Sequence, residues 1–164
     1  MMGNGLGFRC NKCGHEFTAS FGIGFMFPVL YRETVKEIRQ GKYGREWKEL
    51  FKTTPGAAVN AEMELYVCGT CGCSVNDLNL AIYEPKKPRA VKIQDPEPAG
   101  TMQAKGREYV MPYELKSDYR LVELFIHKCP ECGKRMHKYR ETDRLKCPEC
   151  RTGWMEETDS ILWD

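Results

Sequence analysis

The chain has no long apolar segment of the kind that membrane-spanning or secreted proteins carry. No part of its 164 residues approaches the roughly 20 consecutive apolar residues of a transmembrane helix. The first residues, MMGNGLGFRC, contain no apolar core of a secretion signal, and Gly7 stands where a myristoylation motif requires Ser or Thr. The sequence therefore predicts a cytoplasmic protein with no membrane partner.

The chain also lacks the motifs of common enzymes. It has no phosphate-binding loop of the G-x-x-x-x-G-K-[ST] type and no recognisable pairing of a nucleophile with a base. The three histidines, His15, His127 and His137, have no acidic partner at an interpretable spacing, so solvated roles or hydrogen bonds to metal ligands are predicted for them. These absences favour a protein that is not an enzyme, with no evident small-molecule substrate.

Charge is nearly balanced overall, with a net charge of +2, but it is unevenly distributed. Residues 127–151 are basic, and the following 152–164 segment contains four acids and no base. Basic and aromatic side chains alternate in the basic segment, a mixture that can follow a phosphate backbone and stack on a base. This pattern makes six residues weak candidates for nucleic-acid contact, against the alternative of a solvated surface: Lys134, Arg135, Lys138, Tyr139, Arg140 and Arg144.

The chain does have cysteines in an ordered pattern. Two residues between paired cysteines let both sulfurs of a tight turn face one point, and two such turns make a tetrahedral four-sulfur cage that suits zinc. Four pairs predict two Zn²⁺ sites, with iron as the alternative metal. A ninth cysteine, Cys73, could compete for a ligand position, although the usual spacing favours its neighbours. The predicted ligands are Cys10, Cys13, Cys68, Cys71, Cys129, Cys132, Cys147 and Cys150.

Chain order suggests how the pairs combine into sites. The first two pairs predict a split N-terminal zinc ribbon, and the last two predict a compact ribbon whose knuckles flank a β-hairpin over 134–146. The expected fold is a small metal-stabilised α+β protein with two zinc ribbons, the first interrupted by a helical insert. The predicted domains are a ribbon with the insert over 1–84, a Pro-rich linker over 85–106 and a ribbon with an acidic tail over 107–164, unless the linker crosses a single compact body.

Periodicity predicts the elements around the knuckles. Helices are expected over Pro28–Gln40 and about Gly44–Lys52, because apolar residues recur there at helical spacing between Pro and Gly signals. Alternation predicts strands over Glu62–Val67 and from Leu78 to Ile82, and a further strand over Gly106–Leu115. The segment 119–127 is also expected to be a strand, largely covered. The aromatic residues Phe21, Phe25 and Phe27 are expected to pack in a core or to contact a protein partner.

The knuckles Cys129-Pro-Glu-Cys132-Gly133 and Cys147-Pro-Glu-Cys150 resemble those of the zinc-ribbon, or rubredoxin-like, superfamily. The whole-chain arrangement is similar to small bacterial zinc-ribbon proteins of unassigned function, with the pairs Cys10/Cys13 and Cys68/Cys71 on either side of a helical insert and the phrase from Leu65 to Gly72. The resemblance implies metal binding and a ribbon fold and says little about function.

Three functions compete at this level. The first is a non-enzymatic zinc-binding module that engages a protein or a nucleic acid. The second is a rubredoxin-like iron protein that transfers electrons, because four thiolates also bind iron. The third is a metal-dependent hydrolase or nuclease that would use an acid cluster consisting of Glu141, Asp143, Glu156, Glu157 and Asp159.

Overall fold

The computed structural model describes residues 3–87 and 109–163. It confirms a small α+β protein whose paired strands run antiparallel. The described ranges contain these elements in chain order: β1 Gly3–Cys10, β2 Glu16–Phe21, α1 Phe27–Gln40, α2 Arg45–Thr53, β3 Ala58–Val59, β4 Met63–Val67, β5 Ser74–Leu78, β6 Ile82–Pro85, α3 Pro112–Ser117, β7 Tyr119–Glu123, β8 His137–Lys138, β9 Leu145–Lys146 and β10 Trp154–Trp163.

The chain divides into two compact units, and each unit combines distant parts of the sequence. The metal unit consists of Met1–Phe25, Glu62–Asn79 and Ile126–Asp164. The helical unit consists of Met26–Ala61 and Leu80–Phe125. This division differs from the predicted consecutive domains 1–84 and 107–164, because both units draw on early and late segments. The predicted linker 85–106 lies outside the described residues from position 88 onward.

Two antiparallel sheets form the metal unit, in the strand orders β2-β1-β10-β9 and β5-β4-β8. Successive side chains of a strand point to opposite faces, so β4 contributes to two cores. Leu65 and Val67 pack with Phe8 and Leu145 in one core. Tyr66, which lies between them, packs with Met136 in the other core. Strand β4 therefore connects the two cores through its own backbone.

The hairpin predicted over 134–146 is wrong, because its two strands do not pair with each other. Strand β8 pairs with Tyr66 and Val67 of β4, whereas β9 pairs with β10 in the other sheet. The N–H of Tyr139 also donates to the carbonyl of Leu65 at 2.7 Å. Length alone allowed a hairpin here, but β8 pairs with the distant strand β4 and β9 pairs with β10, the next strand along the chain.

The acidic C-terminal segment forms a strand. Strand β10 pairs with β1 along its length, from Gly3 opposite Trp163 to Cys10 opposite Met155, with an irregularity between Leu6 and Phe8. Neither β1 nor β10 is anticipated by the sequence analysis. Together they form the centre of the four-stranded sheet.

The two predicted helices of the helical unit are confirmed. Helix α1 begins at Phe27 with Pro in its first turn and ends at Gly41, whose φ of 85° is favourable for glycine. Its buried residues Phe27, Tyr31, Thr34 and Ile38 follow helical spacing. Helix α2 buries Trp47 and Phe51, and the indole N–H of Trp47 donates to the carbonyl of Leu80 at 3.1 Å.

Other predicted strands need correction. Of the strand expected over 106–115, positions 106–108 lie outside the described residues, and α3 begins within the rest at Pro112. Strand β7 ends at Glu123, and Leu121, Leu124 and Ile126 are 47%, 48% and 50% exposed, so the expectation that 119–127 is covered is wrong. The outgoing strand is broken between β5 and β6, where Leu80 has a φ of 64°. No helix in the described ranges combines the length and apolarity needed to cross a membrane.

Candidate metal centres

Each C-x2-C pair lies in a turn of the same geometry. In every turn the N–H of the residue after the second cysteine donates to the carbonyl of the first cysteine, at 2.8–3.2 Å. That donor residue has a positive φ in all four turns, and glycine occupies the position in three of them. The φ values are 75° at Gly14, 75° at Gly72, 71° at Gly133 and 60° at Arg151.

The cysteine turns combine in a nested order. The first pair meets the last pair, and the second meets the third, with the ligand atoms of each group within 4.8 Å of one another. The expected grouping of neighbouring pairs is therefore wrong, although both groups consist of the predicted cysteines. The outer site contains Cys10, Cys13, Cys147 and Cys150, and the inner site contains Cys68, Cys71, Cys129 and Cys132.

The sulfur separations fit a metal ion bound by four thiolates. A regular tetrahedron with Zn–S bonds of about 2.3 Å has sulfur–sulfur edges of about 3.8 Å. In the outer site the Cys10 and Cys150 sulfurs are 3.7 Å apart, and those of Cys13 and Cys147 are 3.6 Å apart. In the inner site both closest cross-pair distances are 3.5 Å. Both groups could therefore bind a metal ion, and four sulfurs alone do not select between zinc and iron.

Close backbone packing positions the outer site. Cys10 ends β1 and lies opposite Met155 of β10, and the N–H of Cys147 donates to the carbonyl of Gly153. A Cβ atom at Gly153 would lie only 2.4 Å from the Cys10 sulfur. Glycine at this position lets the backbone pass directly beside the ligand.

The inner site lies in the second core. Cys68 follows β4 and is buried with Cys129 beside Tyr66 and Met136. The imidazole of His127, two residues before Cys129, stacks on the Tyr66 ring with centroids 3.6 Å apart. One of its nitrogens, Nε2, lies 3.2 Å from the Asn79 carbonyl. His127 therefore packs beside the site as a neutral aromatic, and burial lowers its pKa.

Backbone N–H groups point at the sulfurs and stabilise their negative charge. The N–H groups of Lys12 and Cys13 lie 3.3 and 3.4 Å from the Cys10 sulfur. At Cys150, hydrogen bonds from Thr152 and Gly153 lower the pKa of the thiol to about 6. At Cys129, burial acts to raise the pKa, but backbone N–H groups outweigh it and the pKa lies at about 6.

Each site also contains a sulfur that retains its proton more strongly, Cys13 in the outer site and Cys71 in the inner site. The N–H of His15 lowers the pKa of Cys13, but burial and the neighbouring sulfurs raise it to about 11. At Cys71 the N–H of Cys73 lowers the pKa, but burial and the neighbouring sulfurs raise it to about 12. All four thiols of a site must be deprotonated to bind a cation, whether their pKa is low or high. Metal binding at either site therefore releases protons.

Direct contacts connect the two sites within the metal unit. The N–H of Lys146, next to Cys147, donates to the carbonyl of Gly72 at 2.9 Å. A Cβ at Gly72 would lie 3.2 Å from the Lys146 Cβ and 3.2 Å from the Trp154 ring. At the surface, Arg151 forms an ion pair of 3.3 Å with Glu131, joining a turn of the outer site to a turn of the inner site.

Cys73 lies outside both four-cysteine groups. Its carbonyl accepts the N–H of Cys68 at 2.8 Å, so its backbone completes the Cys68 turn. Its side chain is half-buried against the inner core, and burial is the main cause that raises its pKa to about 11. The grouping agrees with the spacing argument that favoured Cys68 and Cys71 as ligands.

The six candidate nucleic-acid residues divide into two sets. Lys134, Arg135 and Arg140 are exposed. The other three are engaged within the metal unit: Lys138 pairs with Glu64, Tyr139 donates to Glu157 and packs on Phe8, and the Arg144 guanidinium lies 4.2 Å from the centre of the Trp154 ring.

The structure also pairs a histidine with an acid, which the sequence analysis did not anticipate. Nε2 of His137 lies 2.9 and 3.0 Å from the two carboxylate oxygens of Asp143, and Asp143 accepts the N–H of Arg140. The six-residue spacing around a turn is the only sequence signal for this pair. His15 is half-buried beside the outer site, and its N–H lies 3.4 Å from the Cys13 sulfur.

The five acids of the hypothetical catalytic cluster form no metal-binding group among the described residues. Asp143 is engaged by His137, and Glu157 accepts from Tyr139. Glu156 and Glu157 are neighbours on β10 and therefore project to opposite faces of the sheet.

Comparison of the chain with protein-family models, with curated proteins and with solved structures found no match. The class of the molecule is therefore defined by its own geometry, as a small α+β protein with two groups of four cysteines that could bind metal. The specific resemblance to zinc ribbons stays a prediction.

Proposed function

We propose that the chain is a zinc protein whose two metal centres are structural and that it acts by binding a protein partner. The observation that carries the metal assignment is the nested grouping of eight cysteines, with closest cross-pair sulfur distances of 3.5–3.7 Å. Zinc favours tetrahedral thiolate sites of this kind, and such sites contribute directly to folding.

A structural role follows from the ligand count. Four thiolates complete the tetrahedral coordination of zinc, whereas catalytic zinc sites keep a position for water. The turns that supply the sulfurs also connect the strands of both sheets, through β1, β4, β9 and β10. Metal binding at these turns therefore fixes the arrangement of the metal unit. We infer that the protein is not an enzyme.

Exposed apolar side chains favour a protein partner over a nucleic acid. Phe25 is 81% exposed, and Met26, Val29 and Leu30 at the start of α1 are also exposed. Exposed apolar side chains of this size are typical of protein interaction sites. Three of the six candidate nucleic-acid residues are instead engaged within the protein, which weakens the case for a base-stacking surface.

The metal assignment is tested by elemental analysis with serine variants. The intact chain purified under reducing conditions should contain two zinc ions, and Cys71→Ser should lose the inner one. Cys73→Ser is the matched control, because this thiol lies two residues away but outside both groups. It should retain both ions. Iron in place of zinc would instead support the electron-transfer alternative, and equal loss from both variants would contradict the grouping.

The partner class is tested separately by binding curves on single- and double-stranded nucleic acid at several salt concentrations. Binding through phosphate contacts weakens steeply with salt. We expect no saturable binding of nucleic acid at low salt. We also expect the chain to capture a protein partner and Phe25→Ser to lose this capture. Saturable, salt-dependent nucleic-acid binding that is lost in Arg135→Gln and Arg140→Gln would overturn the choice of a protein partner and leave the zinc assignment intact.

A further inference from the structure

The helical unit contains a cleft with several positive side chains. Its volume is about 580 Å³, and it lies between α1, α2 and the segment that follows α2. Arg39 of α1 lines it together with Lys48 and Lys52 of α2. Among the described residues no Asp or Glu lines the cleft, and its other lining residues are Phe51, Thr54, Gly56 and Ala57.

The three cations have no acidic partner among the described residues of the chain. None of them forms an ion pair there. Lys48 and Lys52 are four residues apart on one helix, a spacing at which like charges repel. The Arg39 guanidinium carbon lies over the ring of Phe51, another lining residue, 5.8 Å from the ring centre. Positive charge is therefore concentrated at the cleft, where none of the described lining residues is acidic.

Helix stability explains only part of this arrangement. Arg39 and Lys52 lie in the last turns of α1 and α2, where positive charge is favourable beside free carbonyl groups. Lys48 lies in the middle of α2, so the same explanation does not apply to it. A bound anion would balance all three charges.

We propose that this cleft binds a phosphorylated small molecule. Three cations that line one cleft are suited to a multiply charged phosphate, and the 580 Å³ volume lies within the range of about 300–1,000 Å³ that is typical of small-molecule sites. That volume exceeds what a phosphate group needs and leaves room for an organic body next to the phosphate. The cleft contains none of the metal-site cysteines, and the inference is independent of the metal assignment.

The test is an NMR titration of the full zinc-loaded chain with two probes, inorganic pyrophosphate and adenosine diphosphate. Both should cause saturable shifts of the Thr54, Gly56 and Ala57 amides. The double variant Lys48→Gln/Lys52→Gln should weaken binding on the order of tenfold, because two neighbouring charges are removed. The charge-matched control is the double variant Lys36→Gln/Arg45→Gln, which removes two exposed helix cations that do not line the cleft. It should leave the affinity within about twofold.

Several outcomes would overturn the proposal. Non-saturating shifts, or the same weakening in Lys36→Gln/Arg45→Gln, would mean that the anions respond to general surface charge. If a single-stranded oligonucleotide saturates the same amides at lower concentration than either probe, the phosphate comes from a nucleic-acid backbone and the small-molecule assignment is wrong. Folding of the Lys48→Gln/Lys52→Gln variant is checked by its amide spectrum, and the probe titrations of the unmodified chain remain decisive if that variant unfolds.

Discussion

Replacement of Gly153 by alanine should selectively weaken the outer metal site. The added Cβ would lie 2.4 Å from the Cys10 sulfur and 2.8 Å from the Lys12 Cβ. Because the φ of Gly153 is not in the left-handed region, space rather than backbone conformation requires glycine here. The Gly153 N–H also donates to the Cys150 sulfur at 3.3 Å, so displacement of the backbone affects two of the four ligands.

The size of the effect follows from this overlap. A carbon 2.4 Å from sulfur is more than 1 Å inside normal contact, taken as about 3.5–4.0 Å between heavy atoms. Overpacking in a well-packed core typically costs about 1–3 kcal/mol. At about 1.4 kcal/mol per tenfold, the outer-site affinity should fall roughly 5- to 140-fold. The inner site should retain its affinity within a factor of a few.

Cobalt(II) titration of the metal-free protein measures this difference, because cobalt bound by four thiolates absorbs visible light and zinc then displaces it. The matched control is Gly69→Ala. Gly69 lies between the cysteines of an inner-site turn, and its Cβ would make only an ordinary 3.6 Å contact with His137. Gly69→Ala should bind two cobalt ions like the unmodified chain. If Gly153→Ala also binds both ions with unchanged affinity, the close approach to the Cys10 sulfur is not a feature of the folded protein.

Four further outcomes are expected. Gly72→Ala should make the two cobalt-binding steps less cooperative than Gly133→Ala, since both glycines have similar positive φ but only the Gly72 Cβ would contact the outer-site segment. Arg151→Gly should raise the denaturation midpoint by relieving a left-handed residue, worth about 1 kcal/mol, whereas Arg151→Ala should not. Hydrogen bonds from Lys42 and Tyr43 lower the pKa of Glu37, which should lie below 4.5 in a carboxyl NMR titration and should rise in Tyr43→Phe. The ionised carboxylate therefore stabilises the fold above pH 4.5, and this stabilisation is lost as the pH falls through the lowered pKa. Chelation of both ions should abolish the cooperative melting of the metal unit, and metal-free protein that melts unchanged would contradict a structural role.

The cysteine turns were predictable because they depend on residues within a few positions of each other. Gly14, Gly72 and Gly133 have the positive φ that follows three of the four pairs. Helices α1 and α2 were predictable for the same reason, because Pro28 and Gly41 mark the ends of a clear helical pattern.

Long-range pairing was not predictable, because turns of equal geometry can combine in more than one way. The 132–147 separation suited a hairpin, yet residues 137–138 complete a sheet with Tyr66 and Val67. Strand β1 was missed because glycines interrupt its alternation. Another strand requires glycine at position 7, because a Cβ at Gly7 would lie 2.6 Å from the Thr158 hydroxyl oxygen of β10. A single sequence does not show which distant strand requires that space.

The nested order of the cysteine pairs makes the two sites unequal, and the size of the loops decides how. The inner site closes a loop whose ends, Cys71 and Cys129, are 58 residues apart, and the outer site joins Cys13 to Cys147 across 134 residues. Once the inner loop has closed, the number of residues in the outer loop that is still open falls by less than a factor of two. Each doubling of loop length costs only about 0.6 kcal/mol, so loop closure favours inner-site binding first by no more than a few-fold. Any stronger coupling must come from contacts between the sites, which include the Lys146–Gly72 hydrogen bond, the Arg151–Glu131 ion pair and the two faces of β4.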